Sequence, residues 1–478
     1  MKKFFSTILI STLIATSTFN VTKNNLYAVE NNKPSTNIQN NTNETNEQIV
    51  VSKNTQDDSL QQILTDDTSN VESNSDTASF DIVATSAFLI DYNTGRVLYA
   101  KNADKKIYPA STTKMWTAYN VLKNVKDLDT VIKIEDLPAI DGSSMYLTNG
   151  EQFTIKQLLQ ALLIHSSNDA AFVLARYVGG GDVTKFIDMM NAEAKSIGCS
   201  NTHFNNPHGL PDENHYTTAH DMALMARVAM SNSIFREIVK TEFISFAATK
   251  EYPYVRYFAN TNKFLSSKET MNYKGKQVPM KYGIVDGIKT GYTDAAGKCL
   301  LTSATKDNRR VICAVFQSTN EGVYLDSRTL LDYGLDNYYN EYIVNSKDSF
   351  KSEPIYFSQE KELLYKPENN YYLTLDNNEQ KNYITKDNFS VKTHLNVINK
   401  DIKKGDVVGH INVYLDDKEV KKINLIAQNN VTGIFGIIPS QKLIIISGLS
   451  IVSLLVLIIV LFKIRANSRK KDVFVDNK

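Results

Sequence analysis

The sequence predicts an α/β domain, then a small β-rich domain, then one apolar helix close to its C-terminal end. Three observations carry that prediction. Strand-like runs stand at both ends of a stretch from about residue 80 to 340, with several helical segments between them. Over 341–428, short strands alternate with clusters of Asn, Asp, Gly and Lys. Leu443 to Phe462 is uncharged and made mostly of Leu, Ile and Val.

Taken in order, residues 1–28 have the pattern of an export signal. Met1-Lys2-Lys3 is positive, Phe4 to Ile14 is mostly apolar, and Leu26-Tyr27-Ala28 ends the segment on a small residue. The apolar run is too short to span a bilayer, which favours a cleaved signal over an anchor. Residues 29–79 are rich in Asn, Thr, Ser, Gln and Asp. Such a segment cannot bury enough apolar surface to offset its ordering entropy, so a disordered polar linker is expected.

In the α/β region, Ala87 to Tyr92 and Arg96 to Ala100 read as two strands joined by the turn Asn93-Thr94-Gly95. A helix is expected to open at Pro109-Ala110-Ser111, where proline suits a first helical turn. Further helices are expected over Ile155–Ile164 and Asp182–Ile197. Strands return over Ile284–Thr290, Cys299–Thr305 and Arg309–Phe316, and a helix from about Tyr324 to Tyr339 closes the region. The β-rich domain has strands at Tyr371–Leu375, Val391–Val397, Val407–Tyr414 and Ile423–Leu425, and its composition suggests a sandwich.

The juxtamembrane segment 429–442 includes Ile434-Phe435-Gly436-Ile437-Ile438, which can rest at a lipid interface or simply continue the spacer. As a helix, 443–462 is about 30 Å long, the thickness of a bilayer core. Lys463, Arg465, Arg469, Lys470 and Lys471 follow it, against Lys442 alone on the other side. The positive-inside bias puts the 463–478 tail in the cytoplasm and everything before the span outside. A net charge of +1 gives no support for nucleic-acid binding. Cys199, Cys299 and Cys313 are an odd number, so a full disulfide framework is excluded. Cys299 and Cys313 lie on neighbouring strands, which leaves both a pair and two buried thiols open.

Three motifs carry the chemistry. Ser111-Thr112-Thr113-Lys114 puts a hydroxyl and an amine three residues apart, on one face of a helix. The positive end of that helix favours loss of the hydroxyl proton and a neutral lysine. Lysine serves as a base only where burial or another cation lowers its pKa, and Lys289 can be that cation. Ser166-Ser167-Asn168 stands where the Ile155–Ile164 helix breaks. The Ser166 hydroxyl suits proton relay between Lys114 and a leaving amine, and the Asn168 amide suits a substrate peptide group. Lys289-Thr290-Gly291 ends an expected strand, where the edge can pair with an extended peptide. The Lys289 charge and Thr290 hydroxyl suit a substrate carboxylate, and Gly291 leaves room for close approach. Each motif alone has an ordinary reading as a cap, a turn or a strand end. Together and in this order they form the set found in penicillin-binding proteins and class A β-lactamases.

The chain resembles the low-molecular-mass penicillin-binding proteins of the D-alanyl-D-alanine carboxypeptidase family. The resemblance also rests on Leu89-Ile90-Asp91, Gly142-Ser143-Ser144-Met145-Tyr146-Leu147, Gly209-Leu210, Thr218-Ala219-His220-Asp221, Asn260-Thr261-Asn262 and Val285-Asp286-Gly287-Ile288, and continues through Lys403 to Gly409. It implies a penicillin-binding-protein/β-lactamase-like transpeptidase fold: a roughly five-stranded antiparallel sheet flanked by helices, with a helical insertion bearing Ser-x-Asn. It implies Ser111 as nucleophile, Lys114 as general base, and an oxyanion hole from the backbone N–H groups of Ser111 and Tyr292. Tyr292 stands where relatives often have histidine, and Ser167 where glycine is frequent. The implied activity is removal of the terminal D-alanine from peptidoglycan pentapeptide stems through an acyl-enzyme. β-Lactams are the implied covalent inhibitors, and no cofactor is needed. D,D-endopeptidase action on cross-links would use the same groups.

Three alternatives are weighed on residues. A class A β-lactamase needs a Glu-x-x-Leu-Asn element, which is absent. A zinc peptidase would have to use His203, His208, His215 and His220, whose spacing fits no His-Glu-x-x-His pattern. An inactive wall-binding scaffold would be expected to have lost one of the six motif side chains, all of which are present.

Overall fold

The computed structural model describes residues 80–347, 351–356, 358–377, 389–396, 400–415, 417–433 and 441–472. The signal and linker expected over 1–79, the 434–440 part of the juxtamembrane segment and the end of the tail lie outside the described residues.

β1 (Ser86–Asp91) and β2 (Val97–Lys101) form the expected hairpin, and a 3₁₀ turn, Ala110–Thr112, leads into α1 (Thr113–Asn124). The helical half follows as β3 (Val131–Lys133), β4 (Gln152–Thr154), α2 (Ile155–Gln160), α3 (Asn168–Val178), α4 (Val183–Ser196), α5 (Ala219–Ala229) and α6 (Ser233–Lys240). A hairpin of β5 (Phe243–Phe246) and β6 (Arg256–Ala259), the short α7 (Lys263–Ser266), and a hairpin of β7 (Thr270–Tyr273) and β8 (Lys276–Pro279) come next. The chain then returns to the main sheet as β9 (Val285–Thr293), β10 (Gly297–Lys306) and β11 (Arg309–Ser318), and α8 (Gly322–Asn337) closes the domain.

The sheet order is β2-β1-β11-β10-β9, antiparallel throughout, so the two ends of the domain lie side by side and β9 is an edge. Both faces of this sheet are covered. Phe88, Ile90, Ile312, Ala314 and Phe316 pack on the helical half. Ala87, Leu89, Val311 and Val315 pack with Leu330 and Leu331 of α8. This is why β1 and β11 read as unbroken apolar runs and not as alternating ones. Helix α1 is buried on every side from Thr113 to Leu122, the signature of a central helix. Its Trp116 indole donates to the Met190 carbonyl at 3.0 Å.

The register settles the cysteines. Cys299 lies opposite Gly291, and Cys313 opposite Thr302. The first thiol belongs to the core on the helical side and the second to the core under α8. On opposite faces of one sheet they cannot pair, and all three cysteines are free and buried.

The second domain is β-rich, as expected, but begins earlier. β12 (Tyr338–Val344) follows α8 with no linker, where the sequence reading carried the helix to Tyr339. No glycine or proline marks that junction, so the boundary has no local signal. β13 (Lys351–Pro354) and β14 (Glu362–Pro367) were not anticipated; β15 (Tyr371–Asp376), β16 (Phe389–Leu395), β17 (Val407–Leu415) and β18 (Lys418–Ala427) were. A two-stranded β12–β15 sheet and a five-stranded β13-β14-β18-β17-β16 sheet share a core of Val344, Leu363, Ile411, Val413 and Leu425. Last comes α9 (Gln441–Asp472), in which Ile445–Ala466 has a mean hydropathy of 3.0 and is long and apolar enough to cross a membrane. The helix does not stop at the basic residues but continues through them.

One carboxylate organises the first hairpin. Asp91 accepts from the backbone N–H groups of Asn93 and Thr94, and from Arg309 Nε at 2.8 Å. Arg309 in turn donates to the carbonyls of Gly334 and Tyr338. Asp91 and Arg309 are both buried, so removing either leaves the other charge without compensation. Arg309→Ala is expected to cost about 3 kcal/mol or more. The measurement is the urea midpoint of the detergent-solubilised chain, followed by fluorescence of its single tryptophan; an unchanged midpoint would refute the assignment.

Candidate active site

The three motifs converge on one cleft at the β9 edge. Ser111, Ser166, Thr290, Gly291 and Tyr292 line it, together with Ser143 and Thr261. Lys114, Lys289 and Asn168 are buried and do not line it.

Ser111 sits in the 3₁₀ turn, not in the first turn of the α-helix as the spacing suggested. The face-sharing argument still gives the right neighbour. Lys114 Nζ donates to Ser111 Oγ at 2.9 Å and to the His208 carbonyl at 2.6 Å. Ala110, just before the nucleophile position, is held at φ +48°, a region costly for a residue with a Cβ. Two close approaches hold the turn. A Cβ on Gly209 would lie 1.8 Å from the Ala110 carbonyl oxygen, and its φ of +89° also favours glycine. A Cβ on Gly291 would lie 3.2 Å from the Ser111 nitrogen and 3.1 Å from the Pro109 oxygen. Gly291 therefore makes room for the Ser111 turn itself.

The electrostatics are set by burial. Burial first, and the Lys289 charge second, push the Lys114 amine well below its ordinary value of 10.5, with Asp169 pulling the other way. Burial pushes Lys289 down to about 7. The Lys289 side chain reaches the Thr290 carbonyl at 3.0 Å, and Thr290 Oγ1 donates to Thr261 Oγ1 at 2.6 Å. The strand does not end at the Lys289-Thr290-Gly291 motif, as the sequence reading had it, but runs on to Thr293. Its inner pairing supports the edge: Thr302 Oγ1 and Asn262 Nδ2 both donate to the Gly287 carbonyl.

Ser166 terminates a π-helical turn, Ala161–His165, that follows α2, and it adopts φ +71°. The sequence reading of a helix break is correct, and the π turn with its left-handed end is the way the break is made. Asn168 opens α3, where its N–H donates to the Ser143 carbonyl at 2.7 Å and its Nδ2 to the Asp141 carbonyl at 2.5 Å. The donor half of that amide thus holds the 141–147 loop. Asp169 holds the same loop, accepting from Ser144 Oγ at 2.6 Å and from the N–H groups of Met145 and Leu147. A buried Arg256–Glu151 pair, with Arg256 also donating to the Tyr146 carbonyl at 2.8 Å, fixes the far side of the loop.

The four histidines each bond a different partner. His203 bonds the Asn214 carbonyl, His220 bonds Asp104, and His208 accepts from the Leu210 N–H. His215 Nδ1 accepts from the Asn205 N–H, which leaves Nε2 protonated to face Thr113 Oγ1 at 2.9 Å. Burial pushes His208 down to about 3 and His215 to about 4. Among the described residues no group of three or more His, Cys, Asp or Glu is placed to hold a metal.

Sequence reasoning assigned no role to Gly209, Thr261, Asp169 or the His208 carbonyl. Gly209 and Thr261 lay in stretches that carried the resemblance, which was the available signal. A main-chain carbonyl gives none.

An antiparallel sheet with a helical insertion, a serine beside a buried lysine and a Lys-Thr-Gly edge strand define a serine enzyme of the penicillin-binding class. The comparisons sharpen this. The family model described as D-alanyl-D-alanine carboxypeptidase matches residues 70–320, and that for the penicillin-binding protein 5 C-terminal domain matches 338–433. The chain belongs to the serine-type D-alanyl-D-alanine carboxypeptidase family. It is 36% identical over 269 residues to D-alanyl-D-alanine carboxypeptidase DacF of Bacillus subtilis, covering 53% of this chain and 63% of that protein, less than two thirds of its length. With DacA of Escherichia coli K12 it shares 31% over 357 residues, 72% of this chain and 83% of that one. Penicillin binding protein 5 from Haemophilus influenzae superposes with a TM-score of 0.54 at 26% identity, over 74% of this chain and 99% of that chain.

If the glycine contacts position Ser111, Gly209→Ala will displace the turn. A shift of about 1 Å costs on the order of 100-fold in rate, so benzylpenicillin acylation should slow by that order, and less for Gly291→Ala, whose Cβ meets milder contacts. Equal, small effects in both folded variants would refute the packing argument.

Proposed function

We propose that this chain is a membrane-anchored D,D-carboxypeptidase that removes the terminal D-alanine from peptidoglycan pentapeptide stems through an acyl-enzyme at Ser111. The observation that carries the reading is the Lys114 amine, buried, depressed in pKa and 2.9 Å from Ser111 Oγ.

Neutral Lys114 takes the Ser111 proton as Oγ attacks the carbonyl carbon of the penultimate D-alanine. The Ser111 and Tyr292 N–H groups hold the developing oxyanion. The Thr290 hydroxyl on the cleft wall receives the terminal carboxylate, with the buried Lys289 charge behind it. Gly291 lets the edge approach, and Asn168, its donor engaged with the 141–147 loop, acts on the substrate amide through its acceptor oxygen. Ser166 passes the proton to the leaving amine, and water then hydrolyses the ester. A β-lactam enters the same path and stops at the acyl-serine. The family membership and the presence of all six motif side chains support this over an inactive scaffold. The apolar window of α9, followed by Arg469, Lys470 and Lys471, supports an anchor with its tail in the cytoplasm and the catalytic domain outside.

Intact mass after mixing with benzylpenicillin should show one lasting adduct on the wild type and none on Ser111→Ala. Consumption of the drug with return to the unmodified mass would instead indicate a β-lactamase, and neither adduct nor consumption in folded protein would refute the reading.

The acylation rate should rise with pH at a midpoint well below the ordinary lysine value of 10.5, because only neutral Lys114 accepts the proton. Lys289→Gln removes the cation that disfavours protonated Lys114, so the rise should move to higher pH. A midpoint near the ordinary value, or no movement in the variant, would remove Lys114 from the base role.

A further inference from the structure

Beside the cleft, two segments raise tyrosine rings into solvent and hold them rigid. Tyr146 belongs to the 141–147 loop, which gives Ser143 to the cleft wall. Tyr252 and Tyr254 belong to the connection between β5 and β6. Tyr146 is 63% exposed and Tyr254 69%. Tyr146 also stands at φ +61°, a conformation costly for a bulky residue and kept only where the surroundings enforce it.

One buried carboxylate does the enforcing. Glu151 accepts from the Thr148 N–H at 2.8 Å, just past the Tyr146 loop, and from Thr249 Oγ1 at 2.6 Å in the β5–β6 connection. It pairs with Arg256, which also donates to the Tyr146 carbonyl. The Thr249 hydroxyl in turn accepts from the Tyr252 N–H at 3.0 Å. The Arg256 guanidinium carbon lies 3.9 Å from the Tyr252 ring centre, and the Tyr252 and Tyr254 rings meet edge to face at 5.7 Å. Tyr146 and Tyr252 thus meet on the same guanidinium. Both segments are set by one ion pair, so a ligand that lands on the rings has little ordering entropy left to overcome.

Flat rings that end in hydroxyls suit a ligand with apolar C–H faces and hydroxyl or amide edges, which is the chemistry of an N-acetylated sugar chain. The reach agrees. Tyr146 is three residues from Ser143 on the cleft wall, at most about 11 Å along the chain. In a pentapeptide stem four residues separate the scissile bond from the sugar, about 14 Å when extended. A sugar at the head of a stem held in the cleft is therefore within range of the rings. We propose that Tyr146, Tyr252 and Tyr254 form a platform for the N-acetylated glycan strand that carries the stem. The inference rests on the carboxypeptidase reading above and extends it from the peptide to the polymer. The platform lowers KM for glycan-borne stems and takes no part in bond breaking.

The test uses the full chain in detergent with two substrates, a diacylated tripeptide ending in D-Ala-D-Ala and an uncross-linked glycan strand bearing pentapeptide stems, and measures released D-alanine. The wild type should show the lower KM on the strand. Tyr254→Ala should raise KM for the strand about fivefold or more with kcat unchanged, and leave the tripeptide within about twofold. Tyr254→Trp keeps a ring and should retain the wild-type preference. Tyr257→Ala, on the opposite face of the same hairpin from Arg256, should change neither substrate. Equal KM values on the two substrates, or a Tyr254→Ala effect that is absent or the same on both, would overturn the platform and leave the carboxypeptidase reading standing. If neither substrate is cleaved, that reading falls, and calorimetry with a tetramer of N-acetylglucosamine decides the platform alone. Binding heat lost in Tyr254→Ala would support it, and no heat with the wild type would overturn it.

Discussion

Two lysine amines buried in one small space are the constraint around which this molecule is arranged. Lys114 and Lys289 are both fully enclosed, and among the described residues neither has a carboxylate as a bonded partner. Burying an ammonium without a counter-ion is costly, and the group responds by lowering its pKa. Here that response is useful, because lowering the pKa favours the neutral amine, the form that can accept a proton. The cost is met by hydrogen bonds to main-chain carbonyls, His208 for Lys114 and Thr290 for Lys289, which compensate a donor without restoring its ordinary pKa as a carboxylate would.

Keeping the amines there requires rigid walls on every side. Helix α1 carries Lys114 through the middle of the domain with no exposed face before Leu122. Strand β9 brings Lys289 from the sheet edge, and its inner pairing is reinforced by Thr302 and Asn262 on one carbonyl. Between these walls the Ser111 turn is squeezed by Gly209 and Gly291, whose lack of a Cβ permits the contact. The 141–147 loop closes the third side and is tied by Asn168 and Asp169 from the start of α3 and by Arg256 from β6. Apart from Asp169, whose charge also pulls on Lys114, these contacts act on position and not on charge, the division expected of a site whose chemistry depends on pre-organised geometry.

Much of this was legible in the sequence, and the parts that were not share a cause. Ser111 with Lys114, Ser166 and the Lys-Thr-Gly strand were found because their chemistry needs particular side chains at short spacing. Strand β1 was found because its apolar run is bounded by a good turn at Asn93-Thr94-Gly95. Gly209 holds Ala110 from about a hundred residues away, and no local pattern records a contact made by the absence of a side chain. The His208 contribution is a carbonyl that any residue would supply. Asn168 was assigned to a substrate on chemical grounds, and its donor bonds the neighbouring loop, because an amide suits both. The cysteines needed the strand register, since one step along a strand reverses the face.

The same local contacts explain why the second domain is joined to the first without a tether. β12 begins at the residue after α8 ends, and Asn340 on that strand donates back to Asp91 at 3.3 Å. Thr374, on the paired strand β15, donates to Asn340 Oδ1, bonds the Thr94 hydroxyl, and offers its carbonyl to Arg96. Asp91 and Arg309 therefore link three things at once: the first hairpin, the end of α8 and the opening strand of the β-rich domain. A carboxylate that already bonds its own turn can accept Asn340 only if the hairpin and the strand arrive in a fixed relation. The β12–β15 pair is thereby an extension of the structure that carries the active-site sheet, and not a bead on a flexible chain. This junction lies on the β1–β2 side of the sheet, while the cleft lies at the opposite edge on β9.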